Sequence, residues 1–226
     1  MTERPSGMPL SGRRAEAEAN DERILDAARE VFLADPKAPI SAVAARAGVG
    51  ISALYRRYPS KEHLLRALAA DGLSRYIADL EAALASDDDP WPAYVECLNR
   101  IVEGGSQALA QRLAGTFRPT PELTAMAGKA GDLATTLFRR VRRSGQLRDD
   151  IAETDIVLLL EIVAQAELPG DGPALRRRYL ALLLEALHAP AEARLPGRPP
   201  RQADLVARWR TRSPAAGRAA RPGGGN

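Results

Sequence analysis

The chain has 226 residues, of which 45% are hydrophobic, 27% charged and only 4% aromatic. That length allows one large domain or two smaller ones, and the core must be mostly Ala, Leu, Ile and Val. No apolar run approaches the roughly 18 residues that a bilayer span needs, and no secretory h-region follows the N-terminus, so a soluble cytoplasmic protein is expected. Cys97 is the single cysteine, which excludes an intrachain disulfide. With only His63 and His188 beside it, the chain has no zinc-ligand spacing. The net charge of +3 is unevenly placed: residues 1–70 carry 11 Lys/Arg against 9 Asp/Glu, residues 71–188 carry 13 against 18, and residues 189–226 carry 8 against 2. Basic ends around an acidic middle point to a polyanion partner at one end or both. The tail alone reads more simply as Arg-rich and solvated.

Residues 1–19 are polar and hold Pro5, Gly7, Pro9 and Gly12, which predicts a flexible basic arm carrying Arg13 and Arg14. From residue 21 the apolar spacing is helical, with Ile24, Leu25, Ala28, Val31 and Phe32 on one face and Asn20 or Asp21 as the cap. Pro36 and Pro39 end that helix. Short helices follow at 40–47 and 51–57, stopped by Gly48 and Pro59. A long one begins after Ser60 and runs until Asp87-Asp88-Asp89-Pro90. Helices are predicted over 91–103, 106–114, 121–143, 153–167 and 173–188. The arginines 139, 140, 142 and 143 lie in the last turns of the third of these, where they complement the helix dipole. Beyond Pro190 the chain is rich in Pro, Gly, Ala and Arg, and it is expected to be a disordered tail over 190–226. No alternating strand pattern of useful length is present, so the fold class is all-α.

The stretch most specific in chemistry is Ile40 to Glu62. Two short helices meet at Gly48, which supplies a left-handed backbone without a Cβ clash. Val49 fits the angle between them, and the small Ala44 and Ala47 allow close approach. This is a helix-turn-helix, whose second helix suits the major groove. Leu54 and Tyr58 point inward, which leaves Ile51, Ser52, Ala53, Arg56 and Arg57 outward and Tyr55 between. Arginine bonds bidentately to a guanine edge, while Tyr55, Lys61 and the amides after Ser60 suit phosphates. Residues 51–66 hold Arg56, Arg57, Lys61 and Arg66 against only Glu62, the local bias a polyanion needs.

Residues 21–68 resemble the DNA-binding domain of the tetracycline-repressor (TetR) family. The resemblance is carried by Ile24-Leu25-Asp26-Ala27-Ala28 and Phe32, by Val43-Ala44 through Ala47-Gly48-Val49, by Leu54-Tyr55, and by Tyr58-Pro59-Ser60-Lys61-Glu62 with Leu64-Leu65. It implies an all-α homodimer that binds a palindromic double-stranded operator, usually as a repressor. It also implies a larger C-terminal domain that dimerises through its last two helices and holds a small-molecule inducer. By position it makes Tyr55, Lys61 and Ser41 phosphate contacts and turns Ile51, Ser52, Ala53, Arg56 and Arg57 to the groove. The chain departs from the family pattern at Ser52-Ala53, where Gly-Thr is common. It departs also at Gly50, where Ser is common and caps better, and at Arg57, where His is frequent. Arg13 and Arg14 either follow the minor groove or belong to a solvated start.

The domain division expected is 1–19, 20–68 for the helix-turn-helix, 69–189 for the ligand-binding and dimerisation domain, and 190–226. Trp91, Tyr94, Cys97, Leu98, Ile101, Phe117, Met126, Leu133 and Leu137 lie on the helices that would enclose a ligand, although the same stripes serve as plain core. A four-helix dimer bundle would use Ile156, Leu159, Leu160, Val163, Leu175, Tyr179, Leu182, Leu183 and Leu187. No phosphate loop, paired metal ligands or nucleophile motif is present, so neither an enzyme nor a cofactor is expected. The readings kept beside the ligand-responsive repressor are a helical protein-interaction adaptor and an activator without small-molecule induction.

Overall fold

Proline and glycine set the helix boundaries in a computed structural model that describes residues 10–105, 109, 113, 115–166, 168, 172–190 and 193–205. The helices are α1 (Leu10–Ala34), α2 (Ile40–Ala47), α3 (Ile51–Arg57), α4 (Lys61–Ala85), α5 (Pro90–Glu103), α6 (Pro121–Arg143), α7 (Glu153–Gln165) and α8 (Gly172–Leu187). Among the described residues there is no strand, only an isolated antiparallel bridge between Leu147 and His188. The caps follow the sequence. Asp89 accepts from the Trp91 amide at 3.4 Å before Pro90, and Thr120 accepts from the Leu123 amide at 3.3 Å before Pro121. Both prolines stand where the missing N–H costs nothing. The helix expected at 106–114 falls mostly outside the described residues, but Leu109 and Leu113 are described and buried.

Two stretches differ from the sequence expectation. α1 begins at Leu10, inside the stretch read as an arm. Arg13 to Ala19 is a run of Arg, Ala and Glu, all strong helix formers, and it extends the helix without apolar periodicity to announce it. The second difference is in the tail. Residues 193–205 are bound to the body: Leu195 N–H donates to Asp150 at 2.7 Å, Thr154 Oγ1 donates to the Pro200 carbonyl at 2.7 Å, and Leu205 is buried. A segment too polar to fold alone is held here by main-chain bonds to an existing surface. The rest of the expected tail, 206–226, lies outside the described residues, as does the arm before Leu10.

The chain divides into two compact units, Met1–Leu68 and Ala69–Asn226. The first packs Ile24, Ala28 and Phe32 of α1 with Val43 and Ala44 of α2, Leu54 of α3, and Leu64, Leu65 and Leu68 of α4, all buried. The second surrounds a core of Tyr94, Cys97, Leu98 and Ile101 from α5, Leu137, Phe138 and Val141 from α6, and the inward faces of α7 and α8. Arg140 ties α6 to the end of α4. Its guanidinium donates to the carbonyls of Ala83, Leu84 and Ser86 at 3.2, 2.8 and 2.7 Å. Ala83 and Leu84 lie in the last turn of α4 and Ser86 just beyond it, where carbonyls lack partners within the helix. Arg142 donates to the carbonyls of Ile151 and Asp149, in the loop before α7, at 2.8 and 2.7 Å.

Candidate nucleic-acid interface and helical ligand domain

The turn between α2 and α3 is closed by Gly48 at φ 67, in the left-handed region. Gly48 N–H donates to Ala45 at 3.3 Å and Val49 N–H donates to Ala44 at 3.0 Å, which satisfies the last carbonyls of α2. α3 then starts from Gly50 with no side-chain cap. Leu54 (0% exposed) and Tyr58 (5%) anchor it, and this fixes which face is left out.

On that outer face Ile51 (40% exposed) and Tyr55 (47%) are large, apolar in part and uncovered, with Ser52, Arg56 and Arg57 exposed beside them and Ala53 half-buried. Ser41 is exposed in the first turn of α2. The two arginines of α3 differ. The Nε of Arg57 donates to both carboxylate oxygens of Asp21 at 2.7 Å, and its Nη2 lies 2.5 Å from Oδ2. Those hydrogen bonds hold the guanidinium charged beyond its ordinary range. Its guanidinium carbon also lies 5.5 Å from the Tyr58 ring centroid. Lys61 is tied as well: its Nζ donates to the carbonyls of Pro36 and Ala38 at 3.1 and 2.7 Å and sits 5.0 Å over the Phe32 ring. It therefore latches the loop between α1 and α2, with one N–H left to donate.

Asp21, one of the two residues expected to cap α1, lies in mid-helix, because α1 begins at Leu10. Its pairing with Arg57, 36 positions away, leaves no signal in a sequence window.

In the second unit, Tyr94, Cys97, Leu98, Ile101 and Leu137 are buried in the core cluster, and Trp91 and Leu133 pack against it. Phe117 and Met126 are half-buried. Trp91 meets Tyr94 at 6.3 Å between ring centroids and His188 edge-on at 4.8 Å. Burial pushes the Cys97 thiol up to about 12, and the nearby Asp79 carboxylate adds to this. Of the residues expected at a dimer face, Ile156, Leu160, Val163 and Leu187 are buried within the protomer, and Leu159, Leu175 and Leu183 are half-buried. Tyr179 (48% exposed) and Leu182 (56%) are open, as is Ile162 (65%). Ile162 lies on α7, which is apolar nearly all round, so periodicity gives no outward face to choose. An apolar groove of about 320 Å³ is lined by Ile162, Val163, Ala166, Leu168, Tyr179, Leu182 and Leu183.

Comparison with known proteins identifies both units. Residues 24–68 match the family model for bacterial regulatory proteins of the tetR family, and residues 89–189 match the C-terminal domain of SbtR-like transcriptional regulators. The HTH-type transcriptional repressor LfrR of Mycolicibacterium smegmatis is 43% identical over 81 residues, which are 35% of this chain and 40% of LfrR. The alignment thus spans less than half of that relative. A TetR transcriptional regulator from Streptomyces coelicolor superposes with a TM-score of 0.56 at 26% identity, over 76% of this chain and 99% of that one. LfrR from Mycobacterium smegmatis in complex with proflavine superposes with a TM-score of 0.57 at 24% identity, over 74% and 95%, and supports the fold. With its helix-turn-helix and its regulator-type helical domain each matched, the chain belongs to the TetR family of bacterial regulatory proteins.

Proposed function

We propose that the protein is a cytoplasmic, homodimeric transcriptional repressor that binds a palindromic operator and releases it when a small molecule occupies the helical domain. The observation that carries this reading is the outer face of α3. Ile51, Ser52, Tyr55 and Arg56 stand exposed on a short helix whose inner face is locked by Leu54 and Tyr58. Such a helix enters a major groove, with Arg56 toward a base edge and Tyr55 and Ser41 toward phosphates. Arg57 serves the recognition helix chiefly by fixing it to α1 through Asp21, and it adds positive charge there rather than a free base-reading fork.

A second copy is the occupant proposed for the apolar groove of α7 and α8, since Ile162, Tyr179 and Leu182 leave a contiguous uncovered apolar face. Two copies then place their α3 helices in successive major grooves, roughly 34–36 Å apart. A ligand that prefers a different spacing shifts the population away from the DNA-bound form, and one with equal affinity for both forms shifts nothing. α4 belongs in part to each unit and is the element proposed to carry the change. LfrR supports the ligand-responsive reading in that it is a repressor and was solved with a bound small molecule.

The test is fluorescence anisotropy on duplex DNA from upstream of the gene, against a scrambled duplex, across a salt series. Preferential binding that weakens steeply with salt is expected. Equal affinity for both duplexes rejects the operator reading. Sedimentation of wild type and Leu182→Glu checks the dimer, and an unchanged mass rejects the proposed face.

A further inference from the structure

Helix α1 sets carboxylates against the cations of the helix-turn-helix. Asp21 takes Arg57 of α3 through Nε, at 2.7 Å to both carboxylate oxygens, and through Nη2, 2.5 Å from Oδ2. Further along α1, Glu30 accepts from the Nε of Arg46, on α2, at 2.5 Å. On α4, Arg66 is paired within its own helix, with Glu62 at 2.6 Å. Of the three cations on α2 and α3, only Arg56 has no hydrogen-bond or ion-pair partner among the described residues, and it stands exposed.

The side chains of Arg57 and Asp21 are 59% and 23% exposed, and an ion pair so open to water contributes little to stability. Its larger effect is on charge. DNA of any sequence attracts a protein through the phosphates that its cations neutralise, each releasing counterions. A carboxylate 2.7 Å from the Arg57 Nε offsets most of the attraction that the guanidinium adds to α3, and a phosphate approaching the remaining N–H groups meets the repulsion of Asp21. Arg56 keeps its whole fork for a base edge. Helix α3 thus offers one arginine to DNA and withholds its neighbour. Discrimination is a difference of affinities, and it grows as much by weakening the wrong complex as by strengthening the right one.

We propose that Asp21 is a specificity-determining residue: by holding Arg57 it denies a phosphate contact to DNA of arbitrary sequence and so raises the advantage of the operator. The inference rests on the operator-binding reading above and adds to it a residue outside the two helices of the motif. Asp21 acts through Arg57 and is a positioning residue. The tie that fixes α3 to α1 is also the restraint on its charge.

The test is anisotropy of the full chain on a scrambled duplex and on the duplex from upstream of the gene, each across a salt series. Asp21→Asn removes the charge and keeps the shape. On the scrambled duplex its slope of log K against log salt is expected to steepen by about 0.9 for each protomer bound, and its affinity at about 50 mM salt to rise by about three- to tenfold. The upstream duplex, held in register by base contacts, is expected to gain less, so the preference for it falls by about threefold. Asp21→Glu returns a carboxylate to Arg57 and is expected to restore the wild-type slope. In an Arg57→Gln background, Asp21→Asn is expected to move the slope by less than about a third of that amount, because no withheld arginine is left to release. Asp21→Ala, of higher helix propensity in the middle of α1, gives the same readout should Asn unsettle the helix. An unchanged or shallower slope in both neutral variants, equal steepening without Arg57, or a preference that holds or rises each overturns the proposal. Equal affinity of the wild type for the two duplexes rejects the operator reading and the specificity role with it. Preferential wild-type binding with an unchanged slope in the neutral variants sinks this inference alone and spares the operator reading.

Discussion

Replacing Lys61 with Met separates a structural role from a DNA contact at one position. The substitution keeps the unbranched stem and helix propensity but removes the ammonium. Lost with it are two charge-assisted hydrogen bonds, at 3.1 and 2.7 Å to the Pro36 and Ala38 carbonyls, and the contact 5.0 Å over the Phe32 ring. A hydrogen bond to a charged group contributes about 1.5–3 kcal/mol where it is well shielded. Here the bonds are part-buried and share one ammonium, so the pair is worth less than twice that figure, and the ring contact adds about 0.5–1 kcal/mol. A loss of about 2 kcal/mol is expected, which at a slope of about 2 kcal/mol/M moves the urea midpoint of the helix-turn-helix unit by about 1 M. The assay is far-UV circular dichroism in urea, with no DNA present. An unchanged midpoint would refute the latch. Because one N–H remains to donate, the salt dependence of operator binding is expected to become shallower by about one phosphate contact as well, a slope change of about 0.9.

Other substitutions test neighbouring parts of the argument. Arg56→Ala is expected to cost about 1–3 kcal/mol on the matching operator and to relax preference at one base position, whereas Tyr55→Ala should weaken binding to all sequences alike; anisotropy on single-base operator variants separates the two, and a uniform loss for Arg56 makes it a phosphate contact. Gly48→Ala has no atom within 4 Å of the new Cβ but must hold φ 67, so a backbone cost of roughly 1–2 kcal/mol is expected in denaturant melts. Gly50→Ser, at φ −65 with equal space, is expected to leave the midpoint unchanged or raise it by a few tenths of a kcal/mol through capping, and equal destabilisation by the two would refute the φ argument. Cys97, buried and with its thiol pushed up to about 12, is expected to resist iodoacetamide at pH 8.5 and to react only after unfolding. Because its value is raised in the fold, its contribution to stability is complete below the ordinary thiol range and is lost as pH rises from there toward about 12. Rapid native labelling would contradict this.

Where the chain carries local signals, the all-α architecture was readable from them. Pro39, Gly48, Pro59, Pro90 and Pro121 stand at or beside helix ends, and helices α2 and α3 have the bounds that the apolar spacing and Gly48 announce. The family resemblance over residues 21–68 rested on an ordered set of residues, and an ordered set survives sequence drift better than any single motif. What was not readable depends on distant pairing or on absolute packing. Arg57 carries the same charge in the sequence as Arg56, and only the tertiary fold sets Asp21 against one of them. The start of α1 was hidden because helix formers from Arg13 to Ala19 need no apolar stripe. Periodicity placed Tyr94 and Leu137 inward without saying whether an inward side chain lines a cavity or fills it. On α7, a surface apolar nearly all round concealed which side, with Ile162 at 65% exposure, would remain uncovered.

The segment of residues 193–205 gives the C-terminal end an architectural role. Arg148 grips Asp150 at 2.6 and 2.9 Å and reaches the Ala193 carbonyl at 2.8 Å, while Thr154 in the first turn of α7 holds Pro200. Cutting the polypeptide after α8 would therefore do more than shorten a loose end. It would take a partner from three polar groups, Arg148, Asp150 and Thr154, at the doorway of α7 and uncover the seat of Leu205. A boundary chosen from the match at residues 89–189 alone would remove a hasp that belongs to the domain.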